Sequence, residues 1–291
     1  MRARTLLDHF DKRPPRFLYH YTSLNVLMEI VRNGELWASN LRYMNDSTEF
    51  AFVLDIIRNR VGYLWEQSED ENESKALHQL LRTISESKEM DAYVISFSER
   101  RDDLSQWRGY CPPGLGVCIG FKSSVLHEIA FPTPKRRKTS LDAGISQFGK
   151  VIYLDKNSGE SFDGMIKRVL SKDLESLASM EQTSVLYSIM TGFAPFYKSN
   201  TFEDEAEWRL QLGHSFKANK PTKIGFRIGK STLIPYAVLD ISAAGGEYIS
   251  EVIVGPSPNL DLTVEAVKEF LASEGRPQIS VVGTDVPYRH W

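Results

Sequence analysis

Residues that could perform chemistry occur at three well-separated places in this chain of 291 residues. The first is His20, in the alternating aromatic segment 17–23 (FLYHYTS), which is typical of a strand that runs directly into a helix. Thr22 or Ser23 would cap that helix and Gly34 would end it. A histidine at such a junction could bind a ligand, because strand ends are rigid and a helix N-terminus offers N–H groups. It could equally be a half-buried histidine whose ring nitrogens are satisfied locally.

The second place combines hydroxyl groups with aromatic rings. A predicted strand over 92–98 carries Ser96 and Ser98 at its end, and Trp107 and Tyr110 follow in a segment with helical spacing. These rings could stack on a flat ligand, or they could belong to a core with polar edges. Earlier in the chain, Tyr43 and Asn45 belong to the segment 43–49 (YMNDSTE), whose Asp46 or Ser47 most simply caps the following helix.

The third place is the segment 203–210 (EDEAEWRL), which changes from an acidic run to strand alternation. Alternation puts Glu205, Glu207 and Arg209 on one face of the strand. They could form an exposed ion pair that contributes little stability. Alternatively, Glu207 could stabilise developing positive charge and bind a ribose hydroxyl, while Arg209 orients it or binds a phosphate.

The elements that must position these residues predict an α+β fold rather than regular α/β alternation. We expect one domain over 1–291, with a core at about 17–289 and surface insertions near 66–75 and 131–148. The sheets should be mostly antiparallel, with amphipathic helices beside them. Beyond the helix after residue 23, the periodicity predicts helices over 47–67, 75–90, 161–178 and 261–274, and strands over 35–38, 92–98, 115–121, 150–154, 207–212, 223–228, 237–241, 248–254 and 279–283.

The composition is that of an ordinary globular protein, with 42% hydrophobic and 25% charged residues and a net charge of −3. This charge provides no general attraction to nucleic acid or to an anionic membrane. Only two cysteines occur, and neither has metal-ligand spacing, so we expect no metal. Without a signal-peptide pattern or an apolar run long enough to span a bilayer, we expect a cytoplasmic protein with both thiols free.

Seven motifs occur along the chain: LYHYT at 18–22, MND at 44–46 with Glu49, ISFS at 95–98, LSQW at 104–107, the segment 116–121, EAEWR at 205–209 and PYR at 287–289. Together they resemble the bacterial family called domain of unknown function 2971. The resemblance extends from about residue 17 to 289, and the combination is specific although each motif alone is weak. The family name implies no reaction.

A weaker resemblance concerns the order of three of these motifs: a histidine on a strand, a strand ending in Ser-Phe-Ser, and a late strand with a glutamate. This order is similar to that of ADP-ribosyltransferases with a histidine-type first motif, and it implies a split-sheet fold. It further implies that His20 holds a ribose of NAD, that Ser96 or Ser98 lines the nicotinamide pocket, and that Glu207 is the catalytic carboxylate. Tyr43, Trp107 and Tyr110 are the candidates for the aromatic ring that stacks on nicotinamide.

The resemblance implies NAD as substrate, no metal, an unknown protein or nucleic-acid acceptor, and a role as a toxin or in phage defence. We expect the catalytic residues to be His20 and Glu207. The other expected ligand-binding residues are Tyr21, Thr22, Tyr43, Asn45, Ser96, Ser98, Trp107, Tyr110, Glu205 and Arg209. Two alternatives use the same residues: a nucleotide- or nucleic-acid-binding module without turnover, and a metal-independent nuclease or other hydrolase in which His20 pairs with a glutamate.

Overall fold

The computed structural model describes residues 12–44, 49–86, 92–130, 145–170, 194–212, 224–229, 231–242 and 248–287. These residues form a mixed α+β fold. The strands are β1 (Phe17–Ser23), β2 (Glu35–Asn40), β3 (Tyr93–Ser98), β4 (Gly116–Lys122), β5 (Ile145–Lys150), β6 (Ile152–Leu154), β7 (Tyr197–Ser199), β8 (Glu207–Leu212), β9 (Ile224–Ile228), β10 (Leu233–Asp240), β11 (Ile249–Val254) and β12 (Ser280–Gly283). The helices are α1 (Leu24–Asn33), α2 (Glu49–Gln67), α3 (Glu71–Glu86), α4 (Leu104–Tyr110), α5 (Ser123–Ala130), α6 (Asp163–Leu170) and α7 (Leu260–Ser273).

Ten strands form one sheet, which is antiparallel except for the pair β11–β12. Its main path is β12-β11-β4-β1-β3-β2-β10-β9, while β8 pairs with the other edge of β3 and β5 pairs with β8. Strand β1 meets β3 only at Tyr19 and Ser98, whereas β2 meets β3 at Val94 and Tyr93. Two strands therefore share one edge of β3 and diverge from it. This divergence splits the sheet at the level of Ser96.

The principal core lies on one face of this sheet. Helix α1 begins as its sequence predicts, because Ser23 Oγ accepts a hydrogen bond from the N–H of Val26. It ends at Gly34, whose φ of 63° is a left-handed conformation that favours glycine. Between these caps α1 packs Leu27, Ile30 and Val31 on the sheet, and α7 contributes Val267 and Leu271.

A second hydrophobic cluster is built from helices α2, α3 and α6 and from the two-stranded parallel sheet β6–β7. Val53, Leu77 and Phe162 are among its most buried members. A bidentate pair between Arg60 on α2 and Asp163 on α6, with both contacts at 2.7 Å, closes one side of the cluster. Strand β7 belongs to this cluster and lies just before the segment that leads to β8.

Most predicted elements are present. The segment of the insertion predicted near 66–75 contains the end of α2 at Gln67 and the start of α3 at Glu71, and Asp70 accepts a hydrogen bond from the N–H of Glu73. In the insertion predicted near 131–148, residues 145–148 belong to β5, which pairs with β8. Residues 131–144 lie outside the described residues.

The sequence reasoning missed α5 and β7, and it assigned 150–154 to one strand where two strands meet. No helix in the described part of the chain is both long enough and apolar enough to cross a membrane.

Candidate functional site

A cavity of about 280 Å³ opens where the sheet splits, close to the lower limit of about 300 Å³ for small-molecule sites. Its wall combines residues of β1, β2 and β3 with residues of α1, α4 and β9. Because the strands diverge here, the cavity is reached by side chains from both faces of the sheet. The polar and aromatic residues that line it include His20, Thr22, Glu29, Glu35, Trp37, Ser39, Tyr43, Ser96, Gln106, Tyr110, Glu205, Glu207 and Arg227.

His20 bridges the split. Its Nδ1 lies 2.9 Å from the carbonyl oxygen of Ser96, at the point of β3 where neither β1 nor β2 pairs. Since a carbonyl oxygen only accepts, Nδ1 carries the proton and donates it. Burial lowers the pKa of the imidazole, a backbone hydrogen bond to Ser96 partly opposes that effect, and the nearby Arg227 cation lowers the pKa further. The neutral ring leaves Nε2 as an acceptor without a hydrogen-bond partner among the described residues.

Glu207 is held in the cavity wall by two cations. Arg209 donates from Nε and Nη2 to its two carboxylate oxygens at 2.7 and 3.0 Å, and Lys198 Nζ lies 3.3 Å from one of them. Burial raises the pKa of Glu207, but the charges of Arg209 and Lys198 outweigh burial and lower the pKa to about 2. Glu207 is therefore a carboxylate at neutral pH although its side chain is only 5% exposed.

Glu205 lies beside Glu207 and is more accessible. Its carboxylate accepts hydrogen bonds from Tyr110 Oη at 2.8 Å and from Lys198 Nζ at 2.7 Å. Burial raises the pKa of Glu205, while Lys198 opposes that effect and the charge of Glu207 adds to it. Ala206 joins the two glutamates with a φ of 45°, a left-handed conformation that is costly for a residue other than glycine.

Arg209 is absent from the described wall of the cavity. Its side chain is completely buried, and Nη1 donates to the carbonyl oxygen of Pro195 at 2.6 Å. Of the two roles considered from the sequence, orientation of Glu207 fits this geometry, whereas a phosphate contact does not.

The two serines of β3 differ in role. Ser98 is buried, donates to the carbonyl oxygen of Glu205 at 2.6 Å and accepts from the N–H of Arg100, so its hydroxyl fixes the loop before β8. Ser96 Oγ is buried and makes no hydrogen bond of normal geometry to another described residue. It nevertheless lies close enough to Glu207 to favour the charged carboxylate. Ser96 therefore lines the cavity with its hydroxyl directed toward Glu207 rather than exposed.

Two of the expected ligand-binding residues, Trp107 and Tyr21, have structural roles. Trp107 is 2% exposed, donates from Nε1 to Asp102 at 2.7 Å, and packs edge to face against Tyr21 at 4.8 Å. The Tyr21 hydroxyl donates to the carbonyl oxygen of Arg100 and accepts from the N–H of Asp103. Trp107 is absent from the described cavity wall, so its ring is not placed to stack on a ligand there.

The remaining predicted residues lie at the cavity, with one exception. Tyr43 and Tyr110 are partly exposed and line it, as does Thr22 at the end of β1. Asn45 lies outside the described residues.

Sequence reasoning missed three groups that shape the site. Lys198 on β7 joins both glutamates, and the hydroxyl of Tyr153 on β6 accepts from the N–H of Glu207 at 2.8 Å. Arg227 on β9 reaches the cavity and donates to Ser39 Oγ at 3.0 Å. The only signal for Arg227 was a single cation within an otherwise apolar alternating strand, and Lys198 offered none.

The arrangement can stabilise positive charge on a ligand and accept a hydrogen bond from it, through Glu207 and His20 respectively. Across the described residues, no group of three histidine, cysteine or acidic side chains is arranged to hold a metal ion.

Residues 106–210 match the model of the family described as "Protein of unknown function (DUF2971)". The matched segment includes Tyr110, Glu205, Glu207 and Arg209, whereas His20 precedes it. No curated protein and no solved structure matches the chain.

Proposed function

We propose that the protein is an NAD-dependent ADP-ribosyltransferase, which cleaves the bond between nicotinamide and ribose and transfers ADP-ribose to an acceptor. The observation that carries this proposal is a carboxylate, Glu207, kept ionised in the wall of a cavity that also exposes the acceptor nitrogen of His20. Such a reaction requires positioning and charge stabilisation more than acid–base catalysis, because the leaving group is already cationic.

Several residues of the cavity wall have a defined role in this proposal. Nε2 of the neutral His20 accepts a hydrogen bond from a ribose hydroxyl, and the Ser96 hydroxyl lines the nicotinamide end. Tyr43 or Tyr110 stacks on the nicotinamide ring. Glu207 stabilises the positive charge that develops on the anomeric carbon.

The proposed reaction breaks the bond between the anomeric carbon and the nicotinamide nitrogen. The electron pair of that bond goes to nitrogen and neutralises the pyridinium. A nucleophile of the acceptor then forms a bond to the anomeric carbon and loses its proton to a base. Glu205 is the nearest candidate base, because its raised pKa strengthens it as a proton acceptor.

The test is release of nicotinamide from NAD by purified protein, with cell lysate supplied as acceptor. Glu207→Gln should lower the rate at least about a hundredfold, as loss of one charge-stabilising group does in other enzymes. His20→Ala should raise KM for NAD. Glu73→Gln on the exposed surface of α3 is the matched control and should leave the rate unchanged. Absence of release by the folded wild-type protein, with no rise in melting temperature on addition of NAD, would refute the proposal.

A binding module without turnover is the second candidate. Both oxygens of Glu207 are occupied by Arg209 and Lys198, which is also what a purely structural ion pair requires. In that case the protein binds NAD without cleaving nicotinamide from ribose, and the Glu207→Gln variant binds NAD as tightly as the wild type does. Cleavage of a substrate in the absence of NAD, dependent on His20, would instead indicate a hydrolase or nuclease.

A further inference from the structure

Arg227 is a half-buried cation without an acidic partner in the described part of the chain. Its Nη2 donates to the neutral hydroxyl of Ser39 at 3.0 Å. Burial lowers the pKa of its guanidinium. Among the described residues that line the cavity, Arg227 is the only arginine or lysine. Removing a guanidinium from water in this way is unfavourable unless an anion completes its hydrogen bonds.

The surroundings of Arg227 restrict where an anionic group of a ligand can lie. The other charged residues of the described cavity wall are acidic: Glu29, Glu35, Glu205 and Glu207. These carboxylates repel a phosphate, so the cavity offers it one favourable position. The planar guanidinium presents several donors in a fork that matches phosphate oxygens.

A stacked aromatic pair lies beside this position. The rings of Trp37 and Tyr236 are 4.3 Å apart with an angle of 15° between their planes. Tyr236 crosses directly over Gly225, where a Cβ atom would come within 2.4 Å of its ring. Trp37 lines the cavity as Arg227 does, so a flat apolar surface and a cation are presented together.

We infer that Arg227 binds a phosphate group of a nucleotide ligand, with Ser39 as the residue that positions its guanidinium. The inference rests on the proposed function only in taking the ligand to be a nucleotide. A nucleotide whose phosphate contacts Arg227 would place its adjoining sugar in the cavity that His20 also lines.

The experiment compares two probes by calorimetry: ADP-ribose, which carries phosphates, and adenosine, which carries none. Arg227→Met, which keeps an unbranched stem but removes the guanidinium, should weaken ADP-ribose binding about tenfold or more and change adenosine binding less than twofold. Ser39→Ala should weaken ADP-ribose binding by a smaller factor. Arg58→Met, on the exposed surface of α2, is the control and should bind both probes as the wild type does.

Equal affinity of the wild type and Arg227→Met for ADP-ribose, or no binding of ADP-ribose to the wild type, would overturn the inference. Its failure is distinguishable from failure of the proposed function. Phosphate binding that depends on Arg227 without nicotinamide release would leave the phosphate site intact and remove the transferase. Nicotinamide release with an unchanged KM for NAD in Arg227→Met would leave the transferase intact and remove the phosphate site.

Discussion

His20 donates to β3 the hydrogen bond that the backbone of a neighbouring strand would otherwise donate. The carbonyl of Ser96 faces the gap between β1 and β2, where no strand of the described sheet can pair with it, and a buried carbonyl without a partner is costly. The imidazole supplies the donor. The same contact fixes the tautomer, so the structural role of Nδ1 determines the chemistry that remains at Nε2.

A prediction about pH follows from the burial of His20. Its pKa is lowered in the folded protein, so the unfolded chain binds the proton first as pH falls below about 6.5. The contribution of the neutral His20 to the free energy of unfolding is therefore fully present above this pH and decreases as pH falls below it. Asn at this position keeps a donor for Ser96 but does not titrate. Between pH 7 and pH 5.5 the wild type should lose about 1 kcal/mol more than His20→Asn, measured by urea unfolding. Parallel losses in both proteins would contradict the prediction.

The sequence was sufficient to identify His20, Glu207 and Arg209 as notable residues, because strand alternation shows which side chains share a face. It could not show that Arg209 is completely buried, since its burial depends on Pro195 and on β5, which are distant in sequence. Trp107 illustrates the opposite error. Its ring packs on Tyr21, which is near it only after folding, and its Nε1 donates to Asp102, five residues earlier in the sequence. These contacts make the apparent stacking surface part of the core.

At the scale of elements, the site depends on where strands end. Strand β3 is shared by three neighbours, and pairing along β8 places Glu207 beside Ser98 and Arg209 beside Ser96. The strand β7, only three residues long, brings Lys198 between the two glutamates. Such a short strand has no recognisable period, and β5 was assigned to an insertion because its pairing with β8 leaves no local signal. Pairing between distant strands, rather than propensity, determined these parts of the fold.

Removal of Lys198 provides the prediction at this scale. Lys198→Met removes a cation that both carboxylates share: Glu207 keeps Arg209, whereas Glu205 keeps the neutral Tyr110 hydroxyl. Loss of one partner from a buried ionic group costs about 3 kcal/mol. Adding Glu205→Gln removes the surplus charge and should restore a large part of this loss. Urea unfolding of the two single variants and the double variant at pH 7 measures the coupling. Additive effects would show that Lys198 and Glu205 do not depend on each other.

At the scale of the whole molecule, the hydrophobic cluster of helices α2, α3 and α6 and the core of the large sheet meet at the candidate site. Among the described residues, the contacts that connect them include Lys198 with the two glutamates, Tyr153 with the N–H of Glu207, and Arg209 with the carbonyl of Pro195. All three are buried or partly buried. Unfolding of the helical cluster alone would expose these polar groups without partners, which favours the folding of both parts as one unit.

The expectation of a single domain can therefore be tested by substitutions far from the site. Leu77 is 1% exposed in the helical cluster and Ile119 is completely buried in the sheet core. Substitution of either residue by alanine should cost about 2–5 kcal/mol and move the same single unfolding transition. Fluorescence and circular dichroism, followed together in urea, should report coincident midpoints for each variant. If Leu77→Ala shifted one transition while Ile119→Ala shifted another, the two clusters would fold independently. Glu207 would then lie at a boundary between domains, where its contact with Lys198 could be broken without unfolding the sheet.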